Sequence, residues 1–187
     1  MIYYTHRFTG GHDESRRLLR LALEEYTGDG RTADELMESL TEEGEHGKPV
    51  IPGFRGFSVS HSGSSWAVLI CDHACGLDIQ YERTCDIPLI AKRFYAPEEQ
   101  DYVLGGSGDM EERFFRVWTR REALVKAWGL SVAGSDLPSV IDVPVLINGT
   151  SCSIIDIEIP DATGMHAAAC FTCDADRSAL AMSELDI

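Results

Sequence analysis

Residues 57–81, FSVSHSGSSWAVLICDHACGLDIQY, contain three short runs with the residue patterns of β-strands. Apolar and polar residues alternate in 57–61 and 76–81, residues 66–71 are a continuous apolar run, and short turns separate the three runs. Alternation is typical of a strand with one buried face, and a short apolar run between turns is compatible with a fully buried strand. The stretch therefore predicts three consecutive strands in an antiparallel meander.

Helical spacing flanks these strands on both sides. Apolar residues recur at helical intervals in 14–26, 87–94, 97–104 and 110–128, and further β-like runs cover 2–5, 153–159, 165–173 and 179–182. Residues 32–43 suit either a helix or a short helix leading into a strand, and 44–52 predict a loop. Helices and antiparallel strands in both halves predict an α+β fold of two similar lobes, each a small antiparallel sheet packed with helix.

Size and composition are those of an ordinary globular protein. The chain has 187 residues, of which 44% are hydrophobic and 25% charged, so we predict one compact unit with lobes at 1–82 and 83–187. Its apolar runs are shorter than the roughly 18 to 20 residues that a membrane span needs. Charges throughout residues 1–27 argue against a signal peptide, so we expect a cytoplasmic protein.

The charge balance excludes some partners. The chain has 16 Lys and Arg residues against 31 Asp and Glu residues, a formal net charge of −15, which argues against binding to nucleic acids or anionic membranes. Its six cysteines are expected to be reduced thiols. Cys170 and Cys173 form a CxxC pattern, but we interpret their segment as a buried strand rather than a redox or zinc motif.

Two segments offer groups for catalysis. In the strand predicted at 76–81, Asp78 and Gln80 share one face, which either forms a polar outer surface or presents oxygen ligands to Mg²⁺. In the helix predicted at 110–128, Trp118, Glu122 and Lys126 follow each other at intervals of four residues. The last two either form a surface ion pair or combine a metal carboxylate with a phosphate-binding lysine.

The serines around His61 permit a third interpretation. His61 shares a strand face with Phe57 and Val59, so it is either a core residue or an anion-binding group at the end of the strand. Ser60 and Ser62 beside it would suit a serine hydrolase, but the chain contains no GxSxG sequence. We therefore do not favour hydrolysis.

Five short blocks in this order resemble a known family. They are similar to the signature blocks of 4′-phosphopantetheinyl transferases of the surfactin-synthetase-activating type, and the similarity extends over about residues 16–130. The blocks are GKP at 47–49, FSVSHS at 57–62, GLDI at 76–79, RFYAPEE at 93–99 and WTRREALVK at 118–126.

The resemblance implies a reaction and assigns residues to it. A serine of a carrier protein would attack the β-phosphate of coenzyme A, take up the phosphopantetheine arm and release adenosine 3′,5′-bisphosphate. Asp78 and Glu122 would hold Mg²⁺, Lys126 would neutralise phosphate charge, and Glu99 would be a candidate base toward the serine. Gln80 stands where many members of the family have a second acidic ligand.

The same resemblance indicates which residues would bind coenzyme A and which kind of protein would be the partner. Arg16 and His61 would contact the 3′-phosphate, Lys48 would line the nucleotide end, and the partner would be an acyl or peptidyl carrier protein. A chain that covers nearly the whole two-lobed fold suggests a monomer. The alternative to a transferase is a noncatalytic module that binds coenzyme A or a carrier protein. Gln80 motivates this alternative, because an amide is a weaker metal ligand than a carboxylate.

Overall fold

The computed structural model describes residues 1–43, 48–130, 137–172 and 180–187. Five helices are present in these ranges: α1 (His12–Thr27), α2 (Gly30–Glu38), α3 (Ile87–Phe94), α4 (Pro97–Gly105) and α5 (Met110–Trp128). The strands in the first half are β1 (Ile2–Thr5), β2 (Thr41–Glu43), β3 (Lys48–Val50), β4 (Gly56–Ser62), β5 (Ser65–Cys71) and β6 (Cys75–Tyr81). Those in the second half are β7 (Val145–Ile147), β8 (Thr150–Ile157), β9 (Met165–Phe171) and β10 (Met182–Glu184).

Two four-stranded sheets form the framework. The first sheet has the order β10-β1-β5-β4, the second has the order β6-β9-β8-β7, and β2 and β3 form a separate hairpin. The predicted α+β architecture of sheets packed with helices is confirmed. One strand pair differs from the expected antiparallel pattern, because β10 runs parallel to β1.

The predicted meander is wrong at its third strand. β4 and β5 form the expected hairpin, but β6 pairs with β9 of the second sheet over its whole length. Alternation separated the apolar face of β6 from its polar face but contained no information about its partner, and Asp78 on the polar face is buried as well. Sheet membership therefore changes between β5 and β6, whereas the lobe boundaries at 82 and 83 stay a prediction.

The apolar residues pack in three layers. Helix α1 covers the outer face of the first sheet, and helices α3 to α5 cover the outer face of the second sheet. A third cluster lies between the sheets and joins Leu69 of β5 to Leu77 and Ile79 of β6. Because β6 takes part in this inner layer with its apolar residues, its polar residues face helix α5.

The helix ends follow local chemistry. Asp109 caps α5 by accepting hydrogen bonds from the backbone N–H groups of Glu111 and Glu112, and Gly129 ends the helix in the left-handed conformation. The uncertain segment 32–43 contains the end of α2 and then β2. The loop predicted at 44–52 is a strand at Lys48–Val50, and 44–47 lie outside the described residues.

Within the described ranges, no helix is both long enough and apolar enough to span a membrane.

Candidate functional site

A glycine allows α5 to lie directly on β6. A Cβ atom added at Gly76 would be 1.9 Å from the carbonyl oxygen of Ala123 and 2.6 Å from the backbone nitrogen of Ala127. Only a residue without a side chain permits this contact between the helix and strand backbones. The close approach brings the last two turns of α5 beside Asp78.

Three side chains meet at this contact. The Lys126 ammonium donates to Asp78 Oδ1 at 2.7 Å and to the Ser60 hydroxyl at 3.0 Å. The Ser60 hydroxyl itself donates to Asp78 Oδ1 at 3.0 Å. The three side chains, which we call the Asp78 cluster, come from β4, β6 and α5 and join the two sheets.

The side chain of Asp78 is 9% exposed, and this burial raises the pKa of its carboxyl group. The Lys126 ammonium and the Ser60 hydroxyl lower the same pKa. Both of these partners contact Oδ1. No residue in the described part of the chain is hydrogen-bonded to Oδ2. The second oxygen of the carboxylate is therefore left for a ligand.

Glu122 lies on α5 one turn before Lys126 and is partly buried. Burial raises the pKa of Glu122, and the negative charge of Asp78 raises it further, whereas Lys126 and Arg121 lower it. Two carboxylates that oppose each other's ionisation favour a cation between them. The structure thus brings together Asp78, Glu122 and Lys126, the residues to which the resemblance assigns metal and phosphate binding.

The amide of Gln80 is held by its nitrogen. Nε2 donates to the Ser62 hydroxyl at 3.1 Å and to the carbonyl of Tyr81 at 2.9 Å. Its oxygen has no hydrogen-bond partner among the residues that the structure describes. Gln80 can therefore offer a neutral oxygen on the same strand face as Asp78.

The oxygen atoms of these side chains are of the chemical type that Mg²⁺ prefers as ligands. In the described ranges, no three histidine, cysteine or acidic side chains are grouped so as to hold a metal alone. Mg²⁺ usually binds one or two carboxylates and completes its octahedron with water and substrate phosphates. Asp78 Oδ2, Glu122 and the Gln80 oxygen match that limited set of protein ligands.

A cavity on the first lobe contains the predicted anion-binding residues. Its volume is about 250 Å³, and it lies between α1, the β2–β3 hairpin and β4. Arg16 and His61 both line it, together with Thr41 and Pro49. His61 is exposed, its ring is tilted against that of Phe8 with centroids 5.1 Å apart, and a positive charge on it would lower the pKa of Asp78. His61 therefore lines the cavity and is near enough to influence Asp78.

Lys48 has a structural contact that the sequence did not indicate. Its ammonium donates to the backbone carbonyls of Lys126, at 2.7 Å, and Cys75, at 3.2 Å. Burial lowers the pKa of Lys48. Lys48 thus fastens β3 to the end of α5 and the start of β6, and the structure does not place it in the cavity that contains Arg16.

The structure does not bring Glu99 to an open position. Glu99 is fully buried and forms an ion pair of 2.8 Å with Arg121. Its oxygens also accept hydrogen bonds from the backbone N–H groups of Ala96 and Val140, at 2.8 and 2.9 Å. A carboxylate enclosed by three donors has no path to an incoming serine, so this arrangement favours a structural role.

A serine hydrolase site is not formed at His61. The hydroxyls of Ser60 and Ser62 accept hydrogen bonds from the backbone N–H groups of Ile79 and Tyr81. They therefore face β6, whereas His61 lies on the other face of β4 and lines the cavity. Activation of a serine by this histidine therefore has no geometric basis, and hydrolysis was not favoured from the sequence either.

The cysteines that the structure describes are all free thiols, as expected: Cys71, Cys75, Cys85, Cys152 and Cys170. Cys173, the second residue of the CxxC pattern, lies outside the described residues.

Sequence reasoning missed Ser60 as a member of the Asp78 cluster. Its alternation with His61 was the available signal, because it placed the serine on the opposite face of the strand.

Two comparisons identify proteins that are similar to this chain. Residues 74–158 match the family model described as the 4′-phosphopantetheinyl transferase superfamily, and this range contains Asp78, Glu122 and Lys126. The resemblance predicted from the five sequence blocks is therefore confirmed.

Individual relatives agree with the family match. The chain is 36% identical over 102 residues to 4′-phosphopantetheinyl transferase psf-1 of Bacillus pumilus, with 52% of this chain and 43% of the relative covered. It is 35% identical over 117 residues to 4′-phosphopantetheinyl transferase AcpT of Salmonella typhi, with 54% and 57% covered. It is 31% identical over 91 residues to 4′-phosphopantetheinyl transferase gsp of Aneurinibacillus migulanus, with 48% and 38% covered. The chain spans about half the length of the curated relatives it matches first.

Proposed function

We propose that this chain transfers the 4′-phosphopantetheine arm of coenzyme A to a serine of an apo carrier protein, with Mg²⁺ as the cofactor. The observation that carries the proposal is the Asp78 cluster with Glu122 beside it, since it places a lysine and two carboxylates together where β4, β6 and α5 meet. The names of the relatives state the same transfer activity.

Phosphoryl transfer depends mainly on alignment and on neutralisation of charge. Asp78 Oδ2, Glu122 and the oxygen of Gln80 would hold Mg²⁺, which supplies charge neutralisation at the pyrophosphate when it is bound. The Lys126 side chain is 29% exposed, and its ammonium donates to Ser60, Asp78 and the Leu77 carbonyl, so it would exchange one of these partners for a phosphate oxygen. It would stabilise the charge that develops on the leaving phosphate.

The serine proton needs an acceptor near the reacting phosphorus. Glu122 is better situated for this than Glu99, because it is only partly buried, burial raises its pKa, and the oxygen that does not bind Mg²⁺ would be available for the proton. As the serine oxygen bonds to the β-phosphorus, its proton would pass to Glu122. The bond from that phosphorus to the bridging oxygen breaks, and adenosine 3′,5′-bisphosphate leaves.

The nucleotide end would bind in the cavity of the first lobe. Arg16 would offer positive charge and His61 a ring N–H to the 3′-phosphate there, and neither residue belongs to the Asp78 cluster. Coenzyme A would then extend from one lobe to the other and place its pyrophosphate beside Lys126. Lys48 would support this path indirectly by fixing the end of α5.

Intact-protein mass spectrometry tests the proposal. Apo carrier proteins of fatty-acid, polyketide and peptide synthesis are incubated separately with the chain, coenzyme A and Mg²⁺. We expect at least one to gain the mass of one phosphopantetheine, and chelation of Mg²⁺ should prevent the gain.

Glu122→Gln should remove most of this activity, whereas Glu112→Gln should not. Glu112 lies on the same helix and forms a surface ion pair with Arg116, so it is a matched control for loss of a carboxylate. Binding of coenzyme A without any mass gain across the carriers would instead support the noncatalytic module.

A further inference from the structure

The hydroxyl of Ser60 has all of its hydrogen-bonding positions filled. It donates its single hydrogen to Asp78 Oδ1 and accepts from the backbone N–H of Ile79 at 3.2 Å and from Lys126 at 3.0 Å. A serine hydroxyl has one donor and two acceptor positions, so no capacity remains for another partner. Ser60 is also only 5% exposed, so water has little access to the three hydrogen bonds.

Two neighbouring serines on the same strand also accept a backbone N–H of β6. β4 is an edge strand of the first sheet, and β6 is an edge strand of the second. The hydroxyls of Ser58, Ser60 and Ser62 each accept one of the N–H groups that β6 directs away from β9. Ser58 accepts from the N–H of Leu77, at 3.0 Å, and among the described residues it has no hydrogen bond to the Asp78 cluster. Ser60 alone among the three also contacts a carboxylate and an ammonium.

From this difference we propose that Ser60 is a positioning residue for the transfer reaction. It holds Asp78 by Oδ1, so that Oδ2 faces the metal, and it holds the Lys126 ammonium within reach of the phosphate. The inference rests on the proposed function and adds to it a residue that does not touch the reacting atoms.

Removal of the Ser60 hydroxyl would take one hydrogen bond from each of these two groups. Asp78 would lose a neutral donor on Oδ1, and Lys126 would keep the carboxylate and the backbone carbonyl of Leu77 as partners. The direction of the Asp78 carboxylate would then depend on Lys126 without the serine. Loss of a group that orients a metal ligand typically costs about 10- to 100-fold in metal affinity or activity.

Three variants test this role. Ser60→Ala removes the hydroxyl, Ser60→Thr retains it, and Ser58→Ala removes a matched hydroxyl from the same strand face. Both alanine variants leave one buried β6 N–H without its acceptor, and Ser60→Ala removes two further hydrogen bonds, so we expect both melting temperatures to fall and that of Ser60→Ala to fall further. Ser60→Ala alone should lower kcat by about 10- to 100-fold with little change in the KM for coenzyme A.

A second measurement is independent of turnover. Titration calorimetry with Mg²⁺ alone should show weaker binding to Ser60→Ala than to Ser58→Ala, with Ser60→Thr close to wild type. If no carrier is modified by the wild type, the proposed function fails, and weaker Mg²⁺ binding in Ser60→Ala would still support its positioning of Asp78. Equal Mg²⁺ affinity and equal kcat in the two alanine variants would overturn the inference.

Discussion

Substitution of Gly76 by alanine should test how α5 is placed on β6. The added Cβ would lie 1.9 Å from the Ala123 carbonyl oxygen, and its other two nearest atoms also belong to the helix backbone. Ordinary contacts begin at 3.4 Å, so the helix must move by about 1.5 Å, since no side chain can rotate away. Such a shift would stretch the 2.7 Å bond between Lys126 and Asp78 beyond hydrogen-bonding distance.

We expect a loss near the upper end of the usual cost of overpacking, about 3 kcal/mol in the free energy of unfolding. For a chain of this length that corresponds to a fall of roughly 6–12 °C in melting temperature. Transfer should fall further, by about 100-fold, because misplacement of a reacting group by about 1 Å is enough to cause such a loss.

The assay combines urea unfolding, thermal melting and the carrier mass measurement. Gly105→Ala is the control, because Gly105 ends α4 in the open, with no atom within 4 Å of an added Cβ. The control should leave stability unchanged or slightly higher. A Gly76→Ala variant that melts with the wild type and transfers normally would refute the close packing of α5 on β6.

Lys126→Ala should lower kcat with both coenzyme A and dephospho-coenzyme A, whereas His61→Ala should chiefly raise the KM for coenzyme A and scarcely affect the substrate that lacks the 3′-phosphate. Steady-state kinetics with the two substrates would contradict this division if His61→Ala harmed both equally. The pKa of Glu122 is raised in the folded state, so the folded chain binds the Glu122 proton more tightly than the unfolded chain does. The contribution of Glu122 to stability therefore falls as pH rises from the ordinary carboxyl range through the raised pKa. Glu122→Gln should flatten this part of the stability profile measured by urea unfolding, and an unchanged profile would show that another group is responsible. Glu99→Ala should cost about 3–5 kcal/mol in unfolding free energy because it leaves a buried guanidinium unpaired, and a stable variant without transfer would restore the role of Glu99 as a base.

The sequence predicted those parts of the site that depend on local periodicity. Period-two alternation placed Asp78 and Gln80 on one face of β6, and four-residue spacing placed Glu122 and Lys126 on one face of α5. The contact between these faces required information that spacing does not contain. Gly76 marked the close approach, but only the structure identifies the helix that uses it.

Other features depended on tertiary partners. Nothing in the local pattern of β6 indicated that it pairs with β9, a strand that begins more than 80 residues later. The buried pair of Glu99 and Arg121 was equally hidden, because charged residues on helices are usually exposed. Lys48 looked like a ligand-binding residue, although its nearest partners are backbone carbonyls.

The most direct test of the central claim is the effect of Asp78→Asn on phosphopantetheine transfer under single-turnover conditions. The substitution preserves shape and removes only the charge that would bind the metal and hold Lys126. Mass spectrometry of the carrier and quantification of adenosine 3′,5′-bisphosphate should show both products in equal amounts with the wild type. With Asp78→Asn, we expect both products to form orders of magnitude more slowly while the protein stays folded. Unchanged formation of the two products by Asp78→Asn would contradict the assignment of the Asp78 cluster as the site of transfer.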